Sequence, residues 1–121
     1  MPRLIYVRWQ SLAEPQTYQA YIVIPEAIQK EMVKGEKGYC AATGRWKTDY
    51  RNMLTIGLAP GGITKTWLMG PCLEPIEVAR VEGEVVKRGP YGGRSNGMYA
   101  LPLKPESKAY IEKYGIPYDS W

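Results

Sequence analysis

Apolar and polar residues alternate along several stretches of the chain, and the clearest two stretches flank a turn. Residues 53–58 and 63–69 are rich in apolar and β-branched side chains, and the sequence Ala-Pro-Gly-Gly at residues 59–62 lies between them. Proline presets one backbone φ and glycine permits positive φ, as a tight reversal requires. The pattern therefore predicts a β-hairpin with a four-residue connection. Both faces of its second strand carry apolar side chains, so the identity of the buried face stays open.

Three other stretches show the two-residue period of a half-buried strand. They are residues 4–10, 17–24 and 76–88. The short link between the first two favours an antiparallel pair. Charged residues on one face of the third indicate a strand with a solvated side. Residues 36–52 are the least regular part of the chain, with one short strand expected at residues 39–42.

Two short helices are predicted where a proline precedes a helical pattern. The first covers residues 25–34, with Ile28 and Met32 one turn apart on a stripe that is expected to be buried. The second begins at Pro105, and a glycine and a proline end it. A final edge strand is expected at residues 98–103.

Together these elements predict an α+β fold, with a mostly antiparallel sheet of five or six strands and two short helices. At 121 residues, the chain is expected to form a single domain that spans residues 1–121. The C-terminal Trp121 is expected to fold back onto this domain. With 45% hydrophobic and 23% charged residues, the composition is that of a globular protein rather than a disordered one.

Charge and hydropathy limit the kinds of partner. The 16 Lys and Arg residues exceed the 12 Asp and Glu residues, which gives a net charge of +4, but the basic residues are scattered along the chain. Nucleic-acid binders usually concentrate them on one face, so we expect a mildly basic surface and no nucleic-acid partner. No apolar run approaches the roughly 20 residues that cross a membrane. The N-terminus shows no signal-peptide pattern.

The sequence offers little for catalysis. With no His in the chain, nucleophilic pairs of Ser or Cys with His are excluded, and two Cys without His do not fit a structural zinc site. The neighbouring carboxylates Glu82 and Glu84 fit a solvated strand face better than a hydrolytic pair. We therefore expect a protein that is not an enzyme, with no catalytic residue, no metal and no cofactor. Cys40 and Cys72 could form one disulfide in an oxidising compartment or remain buried thiols in the cytosol.

A mixed aromatic and charged cluster in the irregular region is the first candidate for binding. The chain has ten Tyr, four Trp and no Phe, and Tyr and Trp are enriched where proteins meet partners. Exposed aromatic residues among charges are typical of an interaction loop. The alternative is that the tryptophan of this cluster only covers the edge of the core. The candidate contacts here are Arg45, Trp46, Asp49 and Tyr50.

A glycine-rich stretch is the second candidate. The sequence from Gly89 to Gly97 reads GPYGGRSNG, and glycines allow backbone N–H groups to converge on an anion. The stretch lacks the ending of a P-loop and the spacing of a dinucleotide fingerprint, so a flexible connection is the preferred interpretation. If it binds, the side chains to test are Tyr91, Arg94 and Asn96.

Three stretches of the sequence resemble one protein family. They read VRWQSLAEPQTY at residues 7–18, YRNMLTIGLAPGG at residues 50–62 and LPLKPESKAYIEKYGIPYDSW at residues 101–121. The chain resembles a domain-of-unknown-function family of proteobacterial proteins, many of them predicted lipoproteins. Relatives are often encoded beside type VI secretion spike and effector genes. Longer members carry an export signal and a lipid-attachment Cys upstream of the part that this chain matches.

The resemblance implies a role through this genomic neighbourhood, and no catalytic residue. A cell that sends effectors into its neighbours needs immunity proteins of its own. We therefore expect a non-catalytic binding protein that neutralises a type VI secreted, membrane- or wall-attacking effector by occluding it. Its location would be periplasmic if a leader was removed and cytoplasmic if the chain is complete, and membrane attachment would come only through an upstream lipid anchor. The alternative is a small-ligand-binding module that uses the stretch from Gly89 to Gly97.

Overall fold

Eight β-strands and two α-helices make up the part of the chain that the computed structural model describes, which is residues 2–11, 13–14, 16–87, 89 and 103–121. The predicted α+β class, with mostly antiparallel strands and two short helices, is confirmed. In chain order the elements are β1 (Leu4–Gln10), β2 (Thr17–Val23), α1 (Glu26–Met32), β3 (Gly35–Cys40), β4 (Arg45–Tyr50), β5 (Met53–Ala59), β6 (Ile63–Met69), β7 (Ile76–Glu82), β8 (Glu84–Val86) and α2 (Pro105–Tyr114).

The described strands divide among three antiparallel sheets. β2 lies between β1 and β8, β6 lies between β5 and β7, and β3 pairs with β4 alone. Two three-stranded sheets therefore form the body, and the β3–β4 hairpin is a separate two-stranded unit. The strands outnumber the predicted five or six because two regions that were each expected to contain one strand contain two.

Gly83 is the residue at which the chain passes from one three-stranded sheet to the other. The alternation along residues 76–88 predicted one strand, but β7 ends before this glycine and pairs with β6, whereas β8 follows it and pairs with β2. The Gly83 N–H donates to the Gly62 carbonyl oxygen at 2.7 Å. A Cβ at position 83 would lie 2.8 Å from the Gln19 carbonyl oxygen, so the corner requires glycine.

The β5–β6 hairpin is confirmed, with a connection one residue shorter than predicted. Ala59 pairs with Ile63, so residues 60–62 form the connection. Gly61 and Gly62 have φ values of +83° and +80°, which a side chain would disfavour. The buried face of β6, which the sequence left open, carries side chains with no exposed surface: Thr64, Thr66 and Leu68.

The inner face of the β1–β2–β8 sheet supplies much of the core. The alternation predicted for β1 and β2 is confirmed, because every second side chain of β2 is buried. Val81 of β7 packs against this cluster, so the two three-stranded sheets share a core. Removing these apolar side chains from water is the main favourable term in folding. The buried residues of this face are Trp9, Tyr18, Ala20, Ile22 and Ile24.

Both helices lie on the surface. α1 begins after Pro25 and α2 begins with Pro105, as predicted, and Gly115 with a φ of +76° follows α2. Neither helix has a buried residue. The stripe of Ile28 and Met32 that was expected to be buried is therefore only half-buried.

The C-terminal residue folds back onto the β5–β6 hairpin, as predicted. The Trp121 ring meets the Trp67 ring edge-on, with 5.4 Å between their centroids. It lies over Gly57, where any Cβ would collide with it. The Arg80 guanidinium donates from Nη2 to the Trp121 carbonyl oxygen at 3.2 Å.

Residues 36–52 contain a second hairpin that the sequence pattern did not predict. The strand expected at residues 39–42 lies earlier in the chain, because β3 ends at Cys40 and residues 41–44 form the turn. Gly44 has a φ of +66° at the end of this turn, and β4 follows it. The strand expected at residues 98–103 lies, apart from its last residue, outside the described residues.

Candidate functional site

The β3–β4 hairpin presents one face to the body of the protein and the other to solvent. Its register pairs Tyr39 with Trp46. Cross-strand partners share a face, and so does every second residue of each strand. We name the solvent side the outer hairpin face. It carries Lys37, Tyr39, Trp46, Thr48 and Tyr50.

Three aromatic side chains of the outer hairpin face are exposed. Trp46 has 71% of its surface exposed, Tyr39 has 52% and Tyr50 has 46%. The rings of Tyr39 and Trp46 lie 5.7 Å apart between centroids and are tilted by 56°, so each restricts the other. Tyrosine and tryptophan, whose rings carry a polar atom, are among the residue types most enriched in the hot spots of protein interfaces.

A disulfide fixes the inner face of the hairpin to the body. Cys40 of β3 is bonded to Cys72, which lies 32 positions later between β6 and β7. Gly38 is buried beside it, and a Cβ there would collide with the backbone of Cys72 and with the side chain of Leu73. The sequence left the bonded and free states of the cysteines open, and the structure contains the disulfide.

Arg51 forms a second attachment. Its side chain is buried and donates from Nε to the carbonyl oxygen of Glu74 at 2.8 Å. Its Nη1 donates to the carboxylate of Glu36 on β3, and this hydrogen bond lowers the pKa of Glu36 below its ordinary value. The Arg51 contact with Glu36 holds the open end of the hairpin and the disulfide holds its turn end, so the two attachments preorganise the outer hairpin face.

The structure separates the first predicted cluster into two groups. Trp46 and Tyr50 lie on the outer hairpin face, whereas Arg45 and Asp49 alternate with them on the other side of β4. The sequence did not single out Tyr39, because its proximity to Trp46 follows from the strand register. An exposed aromatic residue on each side of the Thr-Gly turn is the signal that could have identified this pair.

Asp49 is held inside the hairpin rather than offered to a partner. Its side chain is 17% exposed, and its Oδ1 accepts a hydrogen bond from the Tyr50 N–H at 3.1 Å. Its Oδ2 lies 3.4 Å from Lys47 Nζ, close enough for an ion pair but without hydrogen-bond geometry.

The second predicted cluster falls outside the described residues. These side chains are Tyr91, Arg94 and Asn96, and Gly89 is the only described residue of their stretch.

A buried carboxylate forms a second polar centre, which sequence reasoning did not find. Glu14 is 6% exposed, and its Oε1 accepts hydrogen bonds from the hydroxyls of Tyr18 at 3.0 Å and Tyr118 at 2.7 Å. Its Oε2 accepts the Gly61 N–H at 3.1 Å. We name these groups the Glu14 node. They come from the three stretches that carry the family resemblance, so those stretches meet in space.

The environment of the Glu14 node favours the ionised carboxylate. Burial of Glu14 acts to raise its pKa, but hydrogen bonds from Gly61, Tyr118, Ser11 and Tyr18 outweigh burial and lower that pKa. Burial and the Glu14 carboxylate raise the pKa of Tyr18 to about 12. The hydrogen bond to Glu14 also raises the pKa of Tyr118. At neutral pH the node is an ionised carboxylate between two neutral phenols. Such a group is suited to holding segments of the fold together through hydrogen bonds.

The described residues offer no metal centre or membrane helix. Within them, no group of three or more His, Cys, Asp or Glu side chains could hold a metal ion. None of the helices in this part of the chain has the length and apolar character needed to cross a bilayer. An open groove of about 400 Å³ separates Ala13 from α2, and its described lining is mostly apolar, with Glu106 as the one charged residue.

The fold and the site define a small, disulfide-bonded, mostly antiparallel α+β domain with an exposed aromatic hairpin face. The chain belongs to the DUF2931 family of proteins of unknown function, whose sequence profile matches residues 1–119. The expected membership of a domain-of-unknown-function family is thereby confirmed. No curated protein and no solved structure matches the chain.

Proposed function

We propose that this protein is a non-catalytic immunity protein that neutralises a type VI secreted effector by binding it through the outer hairpin face. The observation that carries the proposal is Trp46, which is 71% exposed and lies against the tilted ring of Tyr39 on a hairpin that is fixed to the body. The resemblance to proteobacterial proteins encoded beside type VI effector genes supplies the kind of partner.

The fold leaves much of the surface of the Trp46 and Tyr39 side chains unburied. Trp46 and Tyr39 remain half or more exposed, so the area that they offer is still available to be buried by a partner. Burying apolar area stabilises a complex by about 25 cal/mol per Å² before the entropy of association is subtracted. Because the disulfide and Arg51 already hold the hairpin, little further ordering opposes binding.

The proposed compartment is the periplasm, with effectors that attack the membrane or the wall as the targets. Disulfides persist in oxidising compartments such as the bacterial periplasm and are rare in the cytosol. The bond between Cys40 and Cys72 fits that location. Membrane attachment would come through an upstream lipid anchor, as in the longer proteins that the chain resembles.

Co-expression with the effector encoded beside the gene tests the proposal. The wild-type protein should co-elute with that effector and restore growth of cells that produce it. Trp46→Ala should weaken the affinity by about 2 kcal/mol or more, as truncation of a hot-spot residue does. Tyr114→Ala is the matched control, because Tyr114 is a 63% exposed aromatic residue on α2, outside the outer hairpin face.

Two results would count against the proposal. If the wild-type protein neither co-elutes with the effector nor restores growth, this partner is wrong. If the effector binds but Trp46→Ala behaves like Tyr114→Ala, the outer hairpin face is not the contact. The small-ligand alternative has no support from the described residues, since nearly all of the stretch that it invokes lies outside them.

A further inference from the structure

In the β3–β4 hairpin, the negatively charged side chains have partners within the protein, whereas some of the positively charged side chains form no ion pair with a described residue. The hairpin has two carboxylates, Glu36 and Asp49. Arg51 from outside the hairpin donates to Glu36, and Asp49 is held by the Tyr50 N–H and lies 3.4 Å from Lys47. Both negative charges therefore have a cationic partner within the protein, although the Glu36 side chain is 54% exposed.

Two cations of the hairpin are left without such partners. Lys37 lies on the outer hairpin face, two residues before Tyr39, and Arg45 immediately precedes Trp46 on the opposite side of β4, next to the turn. Both are exposed, and neither forms an ion pair with any described residue. Among the described residues, the unpaired charges of the hairpin are therefore positive.

We propose that the partner's binding site is an acidic concavity on a protein, with an apolar pocket for Trp46 and carboxylates at its rim opposite Lys37 and Arg45. This inference rests on the proposed function and adds the chemistry of the partner. A bulky, restrained indole requires a pocket to be desolvated. Cations at the edge of an interface that form no ion pair within their own protein are complementary to carboxylates on the binding partner, and such complementary charges favour association.

An anionic membrane fits these observations less well. Recognition of anionic lipid usually involves clusters of about four to eight Lys and Arg residues. Among the described residues of the hairpin, the cations without an ion pair are two, Lys37 on the outer hairpin face and Arg45 on the opposite side of β4. Thr48 also interrupts the apolar surface between Trp46 and Tyr50. A protein pocket with local carboxylates requires only the charges that are present.

Charge reversal in the complex with the neighbouring effector is the first test. The double variant Lys37→Glu with Arg45→Glu should weaken the affinity at least about ten-fold, because like charges would then face each other. The affinity of the wild-type protein should also fall as salt rises, and that dependence should shrink in the variant. The control is Lys104→Glu with Lys108→Glu, which changes the net charge equally at exposed positions near the start of α2.

Short peptides provide a test that needs no natural partner. The ¹⁵N-labelled protein is titrated with an alternating Glu-Gly peptide, with a Lys-Gly peptide of equal length, and with phosphatidylcholine vesicles that contain phosphatidylglycerol. The indole N–H signal of Trp46, identified by its loss in Trp46→Phe, reports binding at the site. The acidic peptide should shift this signal and the basic peptide should not.

The outcomes separate the two proposals. If the effector binds and Trp46→Ala weakens it, but the charge reversal acts no more strongly than its control, the acidic-site inference is overturned while occlusion stands. If the effector does not bind the wild-type protein, the proposed partner fails and the peptides decide the chemistry. Equal responses to both peptides, or to neither, then overturn the inference. Binding to anionic vesicles without a response to the acidic peptide overturns it in favour of a membrane surface.

Discussion

The Glu14 node and the outer hairpin face both contain aromatic side chains, but the node uses their hydroxyls for internal hydrogen bonds and the outer hairpin face exposes their rings to solvent. In the node, the hydroxyls of Tyr18 and Tyr118 converge on one buried carboxylate. On the outer hairpin face, the rings of Tyr39 and Trp46 contact each other and are half or more exposed to solvent. The same aromatic composition thus serves the interior in one region and the surface in the other.

The fold depends more on the Glu14 node than on the outer hairpin face. The node joins residues that are 47 and 104 positions apart in the chain, so it ties the β5–β6 turn and the C-terminal segment to the loop that contains Glu14. On the outer hairpin face, the ring contact between Tyr39 and Trp46 joins two adjacent strands. A side chain that makes few long-range contacts can be replaced with little loss of stability, which leaves its identity free to serve binding.

Removing the disulfide between the hairpin and the body should destabilise the protein most. Replacing Cys40 and Cys72 by Ala removes a cross-link over 32 positions, and the loop-entropy relation gives a loss of about 3–4 kcal/mol in the free energy of unfolding. Urea unfolding measures the loss. Amide exchange should accelerate more in β3 and β4 than in β1 and β2, if the disulfide is what holds the hairpin. Equal acceleration in both sheets would contradict that assignment.

A smaller loss is expected when the node loses its charge. Glu14→Gln keeps the shape of the side chain but replaces a charged acceptor of several hydrogen bonds, which should lower the free energy of unfolding by about 1.5–3 kcal/mol. The pKa of Tyr18, now about 12, should move down toward 10 in a phenolate absorbance titration. Glu112→Gln on the exposed side of α2 is the control and should change neither quantity. An unchanged Tyr18 titration in Glu14→Gln would show that burial alone, without the carboxylate, raises the pKa of Tyr18.

The Glu14 node should also make the free energy of unfolding depend on pH, with a smaller change than the one expected for Glu14→Gln. The pKa of Glu14 is lower in the folded state than its ordinary value of 4.5, so its contribution is present above pH 4.5 and is lost as pH falls through the folded pKa. The pKa of Tyr18 is raised, so its contribution is present below pH 10 and is lost as pH rises toward 12. Urea unfolding across this range, in wild type and in Glu14→Gln, measures both arms. A profile that is identical in the two proteins would contradict the assignment to the node.

Local signals account for the elements that were predicted correctly. The Ala-Pro-Gly-Gly turn between two apolar runs specifies the β5–β6 hairpin, and Pro105 and Gly115 mark the ends of α2. In each case the residues that determine the structure lie within the element or next to it. Propensity and periodicity are sufficient there.

The β3–β4 hairpin and the sheet change at Gly83 could not be predicted in the same way. Most side chains of β3 and β4 are exposed on both faces, so no two-residue apolar period marks them. What holds the hairpin is the disulfide and Arg51, whose partners include residues that are distant in the chain. At Gly83 the alternation continues through the corner, and only the approach of other backbone segments shows that the strand ends.

The candidate site was predictable only in part, because its arrangement also depends on strand pairing and on contacts between residues that are distant in the chain. Trp46 and Tyr50 stand out as aromatic residues among charges, and the structure leaves both exposed. Their separation from Arg45 and Asp49 depends on the strand alternation, which was not recognised in that region. The Glu14 node was invisible to sequence reasoning because a single glutamate near a proline gives no sign of a tyrosine 104 positions away.

Replacing Trp46 should destabilise the protein least, and this variant tests the contrast between the two regions most directly. Trp46→Ala should lower the free energy of unfolding by less than about 1 kcal/mol, because it removes one cross-strand aromatic pair from an exposed face. Trp67→Ala is the matched comparison, since Trp67 is half-buried and packs against Trp121 and Gly57. It should cost about 2 kcal/mol or more, since truncating a well-packed aromatic residue leaves a void. If Trp46→Ala destabilises the protein as much as Trp67→Ala does in urea unfolding, Trp46 belongs to the architecture of the hairpin. Its exposure would then no longer argue for a binding surface.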